Sequence, residues 1–109
     1  MMYRIKKTCK EKKWPKPDFD TEYLVNKIKS GKCEVTGIKF QVGNRNHKAK
    51  NTIRNPYVPS IDRIDSSQPY RKDNVQMVVF MYNVCKSRFE HEDVVRFCQA
   101  VIDSEKLGH

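Results

Sequence analysis

Pro59-Ser60-Ile61-Asp62-Arg63-Ile64-Asp65 is a short extended segment that ends among charges, and a turn-rich loop with Pro69 inside it follows from Ser66 to Lys72. Val75-Gln76-Met77-Val78-Val79 is then a β-type apolar run. Near Val79 or Phe80 the pattern gives way to a helix running to about Ser87, which carries Tyr82-Asn83-Val84-Cys85-Lys86. The order is strand, loop, strand, helix. Asn83 stands out, because asparagine is a poor helix former and needs a reason to be there.

Outward from this unit the chain reads as helices. Residues 20–30 form one, with Asp20 as N-cap, Glu22 in the first turn, Leu24, Val25 and Ile28 on one face, and Gly31 just past the end. Cys33 to Phe40 is expected as short extended structure around a Thr36-Gly37 turn. Gln41 to Asn55 is polar and basic and reads as a long functional loop, and Pro56 and Pro59 bracket a short extended piece. The last helix spans His91 to Lys106. Its stripe of Val94, Val95, Cys98, Val101 and Ile102 is expected in the core.

The chain of 109 residues suits one domain with a modest core, of α+β class. Residues 1–17 read as a basic N-terminal arm or short helix ending at Pro15 and Pro17, anchored by Met2, Tyr3 and Ile5. Residues 18–109 form the domain, with the strand–strand–helix core at about 57–88 and the C-terminal helix at about 91–106. Trp14 is expected to pack on the domain. No apolar run approaches membrane-spanning length, and the basic start Met1 to Lys7 lacks a following apolar region, so a cytoplasmic protein is expected.

Charge narrows the partner. Lys+Arg 22 against Asp+Glu 13 gives a formal +9, which suits a polyanion whose neutralised phosphates release counterions. The excess is uneven. Lys12 and Lys13 belong to the basic N-terminal run, and Arg45, Lys48, Lys50 and Arg54 belong to the acid-free loop, so these are the candidate nucleic-acid contacts. Cys9, Cys33, Cys85 and Cys98 are widely spaced, with no Cys-x-x-Cys pair. Such spacing does not support a zinc site made of all four.

Cys33 to Gly37, Pro59 to Asp65, Lys72 to Val75 and Asn83 to Lys86 together resemble the HNH, or ββα-metal, nuclease family, most of all its small phage-type members. The likeness covers about half the chain. Arg63, Asn74, Asn83 and Lys86 follow one another at intervals of 11, 9 and 3 residues. The resemblance implies a small ββα-metal core with flanking N- and C-terminal helices. It implies Asp62 and Asn83 as ligands of one Mg²⁺ or Mn²⁺, a hard cation that wants oxygen and keeps several waters. It implies Asn74 as the residue that holds the loop, Lys86 as a cation facing the phosphate, and a helix lying along a DNA groove.

The chain departs from the family in two places. The usual first zinc-binding cysteine pair is reduced to Cys33 with Thr36, and the second would fall near Val79 and Tyr82, so no structural zinc is expected. The general-base histidine after the metal-binding Asp is replaced by Arg63, and a guanidinium cannot take a proton from water. Asp65, a tyrosine (Tyr57, Tyr70 or Tyr82), or the phosphate itself or bulk hydroxide with slower turnover are the candidate substitutes, with Arg63 as a phosphate clamp; His47 reaches the site only if its loop folds over it. His91 and His109 open the last helix and end the chain.

Two functions follow from the resemblance. One is a metal-dependent DNA endonuclease or nickase, with double-stranded DNA as the expected substrate. The other is a catalytically impaired HNH-fold protein, active in a phage-infected cell, that binds DNA or blocks a host nuclease or defence protein. A third reading, a basic nucleic-acid-binding accessory protein unrelated to nucleases, would leave Asp62 and Asn83 far apart.

Overall fold

The computed structural model describes residues 1–43 and 55–108. Its elements run α1 (Met2–Glu11), α2 (Thr21–Lys29), β1 (Pro59–Arg63), a 3-10 turn (Lys72–Asn74), β2 (Val75–Val79), α3 (Phe80–Lys86) and α4 (His91–Lys106). The class is α+β: four helices and one two-stranded antiparallel sheet.

The sheet sets the geometry. β1 and β2 pair with Pro59 opposite Val79, Ser60 opposite Val78, Ile61 opposite Met77, Asp62 opposite Gln76 and Arg63 opposite Val75. Because side chains alternate along a strand, each such row shares one face. Ile61, Val75 and Met77 face a cluster formed with Ile5 and Cys9 of α1, Phe19, and Leu24 of α2. Ser60, Asp62, Gln76 and Val78 face the other way, where α3 lies. A second cluster of Cys33, Val78, Val79, Tyr82 and Val94 closes that side.

Local chemistry explains the ends. The Asp20 carboxylate accepts from the Tyr23 N–H at 3.0 Å and caps α2. Gly31, at φ +83°, ends that helix in the left-handed region, where glycine is strain-free. Glu90 and Asp93 form a reciprocal capping box at the start of α4. Around the Thr36-Gly37 turn, a single bridge joins Lys32 and Lys39. The Glu34 backbone N–H donates to the Met77 carbonyl at 2.9 Å, and its carboxylate accepts from the Met77 N–H. Lys27 on α2 holds that carboxylate at 3.1 Å.

Three expectations change. Residues 2–11 are a helix whose Ile5 and Cys9 are buried with the rest of the core, so the basic N-terminus is docked along its length. Tyr3 is exposed and anchors nothing. The α4 stripe is not core. Val94 alone is buried, while Val95, Val101 and Ile102 are about half exposed (51%, 48% and 49%) and Cys98 is exposed. The reason is that α4 meets α3 through His91 and Val94 near its start, and among the described residues nothing buries the apolar side chains of its later turns. No described helix is long and apolar enough to cross a membrane.

If α1 is part of the folding unit, Ile5→Ala should cost about 2–5 kcal/mol, the usual range for truncating a buried aliphatic side chain. Urea unfolding checks this; a cost near zero would mean the helix is a dispensable arm.

Candidate functional site

β1 ends where α3 begins its last turn, and the two elements meet through polar side chains. Asp62 is 3% exposed and Lys86 is 1% exposed. The Lys86 ammonium donates to Asp62 Oδ1 and Oδ2 at 3.1 Å each and to the Arg63 carbonyl at 2.6 Å. An ammonium has three N–H donors, and all three acceptors are present. Gln76, opposite Asp62 in the sheet, donates its amide to Asp62 Oδ2 at 2.9 Å. The pair is neutral as a unit and fully hydrogen-bonded, as a charge pair removed from water must be.

Asn83 lies one turn before Lys86 on the same helix face. Its amide nitrogen donates to Ser60 Oγ at 2.8 Å and to the Ile61 carbonyl at 2.9 Å. This fixes the amide orientation and turns the oxygen away from the strand. Asn83, Asp62 and Arg63, with Ile61, Ser66, Tyr70 and Ser87, line a polar cavity of about 100 Å³. A larger cleft of about 470 Å³ continues past Asn83, Ser60 and Tyr70 to Arg4 and Ile5 of α1. The helix asparagine thus has its structural reason: it ties α3 to β1 from inside.

Asn74 holds the loop between the strands. Its side-chain oxygen accepts from the Asp65 N–H at 2.8 Å, and its nitrogen donates to the carbonyls of Asp65 at 3.0 Å and Pro69 at 2.9 Å. One buried side chain therefore replaces the backbone pairing that the loop lacks.

Arg63 borders the same cavity as Asp62 but its guanidinium is engaged elsewhere. Adjacent strand residues point to opposite faces, and the guanidinium lies on the α1 face, between the rings of Trp14 and Tyr70 at 4.9 and 5.1 Å. Its Nη1 also donates to the Ser66 carbonyl at 2.5 Å. It ties the loop to the end of α1, and it also borders the cavity that Asp62 and Asn83 share. Lys86, expected to face a phosphate, points inward for the reason given above: its charge is consumed by Asp62.

Two of the candidate bases, Asp65 and Tyr82, are poorly set for the role. Asp65 is exposed; hydrogen bonds from the Ser67 hydroxyl and backbone N–H, and then the charges of Lys86 and Arg63, hold its carboxyl below the usual range. Tyr82 is buried and hydrogen-bonded to His91 Nδ1 at 2.9 Å. Burial first, and then the negative charge of Asp62, push its phenol up to about 12, the wrong direction for a base. His47 and the basic loop residues Arg45, Lys48, Lys50 and Arg54 lie outside the described residues. Lys12 and Lys13 are exposed at the end of α1, with Lys12 5.2 Å from the Trp14 ring centre.

A divalent ion does not fit the described arrangement. Mg²⁺ needs oxygen ligands at about 2.0–2.1 Å inside a near-octahedral shell with several waters. The Asp62 oxygens are instead buried under the Lys86 ammonium and the Gln76 amide. Among the described residues no three His, Cys, Asp or Glu side chains converge. Gln76 was missed in the sequence, although it is the one polar residue in the run Val75–Val79. That interruption is the signal that the strand faces something polar there.

No family model, no curated protein and no solved structure matches the chain.

Two measurements follow. Lys86→Met should destabilise the protein by about 3–5 kcal/mol, because it strands a buried carboxylate. Adding Asp62→Asn should recover part of that loss; equal stability of the single variant and the parent would remove the buried pair from the account. For Tyr82, the folded state holds its proton up to about 12, against the ordinary phenol value of 10.0. Its contribution to stability is therefore full below about pH 10 and lost as pH rises through about 12. Absorbance titration should show one tyrosine ionising late, and Tyr82→Phe should remove that step.

Proposed function

We propose that this chain is a DNA-binding protein built on the ββα arrangement of HNH nucleases, with the metal position taken by its own lysine. The observation that carries this reading is the Lys86 ammonium seated on both oxygens of Asp62. The ammonium occupies the side of the carboxylate where a cation would bind, and among the described residues Asp65 and Tyr82 are poorly disposed to act as a base for water attack. Asp62 and Asn83 nevertheless line one cavity, which favours the ββα reading over an unrelated fold that would separate them.

The binding surface follows from charge. The exposed positions of α3, Met81, Val84 and Cys85, bring no cation. α1 exposes Arg4, Lys6, Lys7 and Lys10, and Lys12 and Lys13 follow at its end. Arg4 also lines the cleft that reaches Asn83. The docked N-terminal helix is therefore the element that meets phosphates, with the backbone contributing affinity and little sequence reading.

The test is duplex binding by fluorescence anisotropy across a salt series, run beside plasmid nicking in Mg²⁺ and Mn²⁺. Binding should weaken linearly on a log–log plot, and Lys6→Glu with Lys10→Glu should flatten the slope by about 2. Supercoiled plasmid should stay intact. Metal-dependent nicking that disappears in Asp62→Asn would reinstate the endonuclease, and salt-insensitive or absent binding would end the DNA reading.

A further inference from the structure

Beyond its first turn, α4 presents an apolar face to solvent. Val95, Cys98, Val101 and Ile102 follow one another at helical spacing and all are exposed. Sixteen helical residues extend about 24 Å. The radius of gyration, 15.6 Å, exceeds the roughly 13 Å of a compact chain of this size, in keeping with an element that stands off the body. Amphipathic helices owe most of their stability to what covers the apolar face. Residues 44–54 carry one large apolar side chain, Ile53, so their composition offers little cover.

The charge on α4 says what the cover is. Residues 90–106 hold Glu90, Glu92, Asp93, Asp103 and Glu105 against Arg96 and Lys106, a negative segment on a chain of net charge +9. Nucleic acid is repelled there. Along one flank of the stripe run Glu92, Gln99 and Lys106, each two turns from the next. An antiparallel copy of the same helix, centred on Gln99, places Glu92 against the partner's Lys106 and Lys106 against the partner's Glu92. The same centring lays the apolar stripes over each other. The pattern is self-complementary about a twofold axis, the hallmark of an isologous interface.

We propose that α4 is a dimerisation helix that pairs antiparallel with α4 of a second copy. No residue of the stripe lines the cleft, and a dimer carries two copies of the basic α1. This does not rest on the reading of the Asp62 site.

Sedimentation of the full chain tests it. The parent should sediment as a dimer at micromolar concentration, and Ile102→Asp should be monomeric with unchanged helicity by circular dichroism. Glu92→Lys or Lys106→Glu alone should weaken the dimer by roughly tenfold, since each sets two like-charge pairs face to face. The combined swap should restore it. Glu92 and Lys106 sit about 21 Å apart along one helix, so only pairing between copies can produce that rescue. A monomer across the accessible concentration range, including one that takes up an unrelated protein on this face, overturns the proposal. So does a dimer indifferent to Ile102→Asp, or a swap that fails to rescue.

Discussion

Lys86 reaches back from the last turn of α3 to Asp62 near the end of β1, and both charges are out of water. Everything around them answers to that fact. The third ammonium proton needs an acceptor, and the Arg63 carbonyl supplies it. The carboxylate's second oxygen takes Gln76 as a further donor, which locks the register of the two strands. Asn83, one turn earlier, then closes on Ser60 and Ile61. Burying a charge pair contributes little net stability compared with apolar residues of the same volume, but breaking one is severe. The pair therefore acts as a constraint on geometry more than as a source of stability.

The same constraint divides the molecule electrostatically. With Lys86 neutralised inside, the positive charge available to a partner sits on the outside, much of it along α1. α1 is held by Ile5 and Cys9 below and by Trp14 at its end, where the Arg63 guanidinium lies between Trp14 and Tyr70. An acidic α4 departs from the body through Val94 and the capped Glu90. The two ends of the chain thus carry opposite signs, and the sheet between them carries none that reaches solvent from Asp62 or Lys86.

Much of this frame is legible in the residues. The alternation in β1, the apolar run of β2, the Asp20 cap and the Glu90–Asp93 start of α4 all act within a few positions, so local rules find them. Asn74 is legible through the family resemblance alone, since its residue type fits a simple turn cap as well as a holder of the loop. What escapes is direction. Sequence places Asp62, Arg63, Asn83 and Lys86 near one another but not which way each points. The Arg63 guanidinium is drawn to the Trp14 and Tyr70 rings, and a long lysine stem lets Lys86 turn inward where an outward pose reads equally well. The α4 stripe was misjudged for a related reason: periodicity reveals an apolar face but not whether the cover comes from the same chain.

Glu34 shows how little it takes to finish a sheet. It sits on the edge of β2 opposite β1 and meets Met77 with its backbone N–H and its carboxylate, in the place where a third strand would run. An open edge is a template for another chain's backbone. Here a single acidic residue, tethered by Lys27, occupies the donor and acceptor of that edge at its centre. Among the described residues the sheet stays two strands wide on this side, and on that edge association between molecules is left to side-chain surfaces, where charge and shape can discriminate, instead of to backbone, where they cannot.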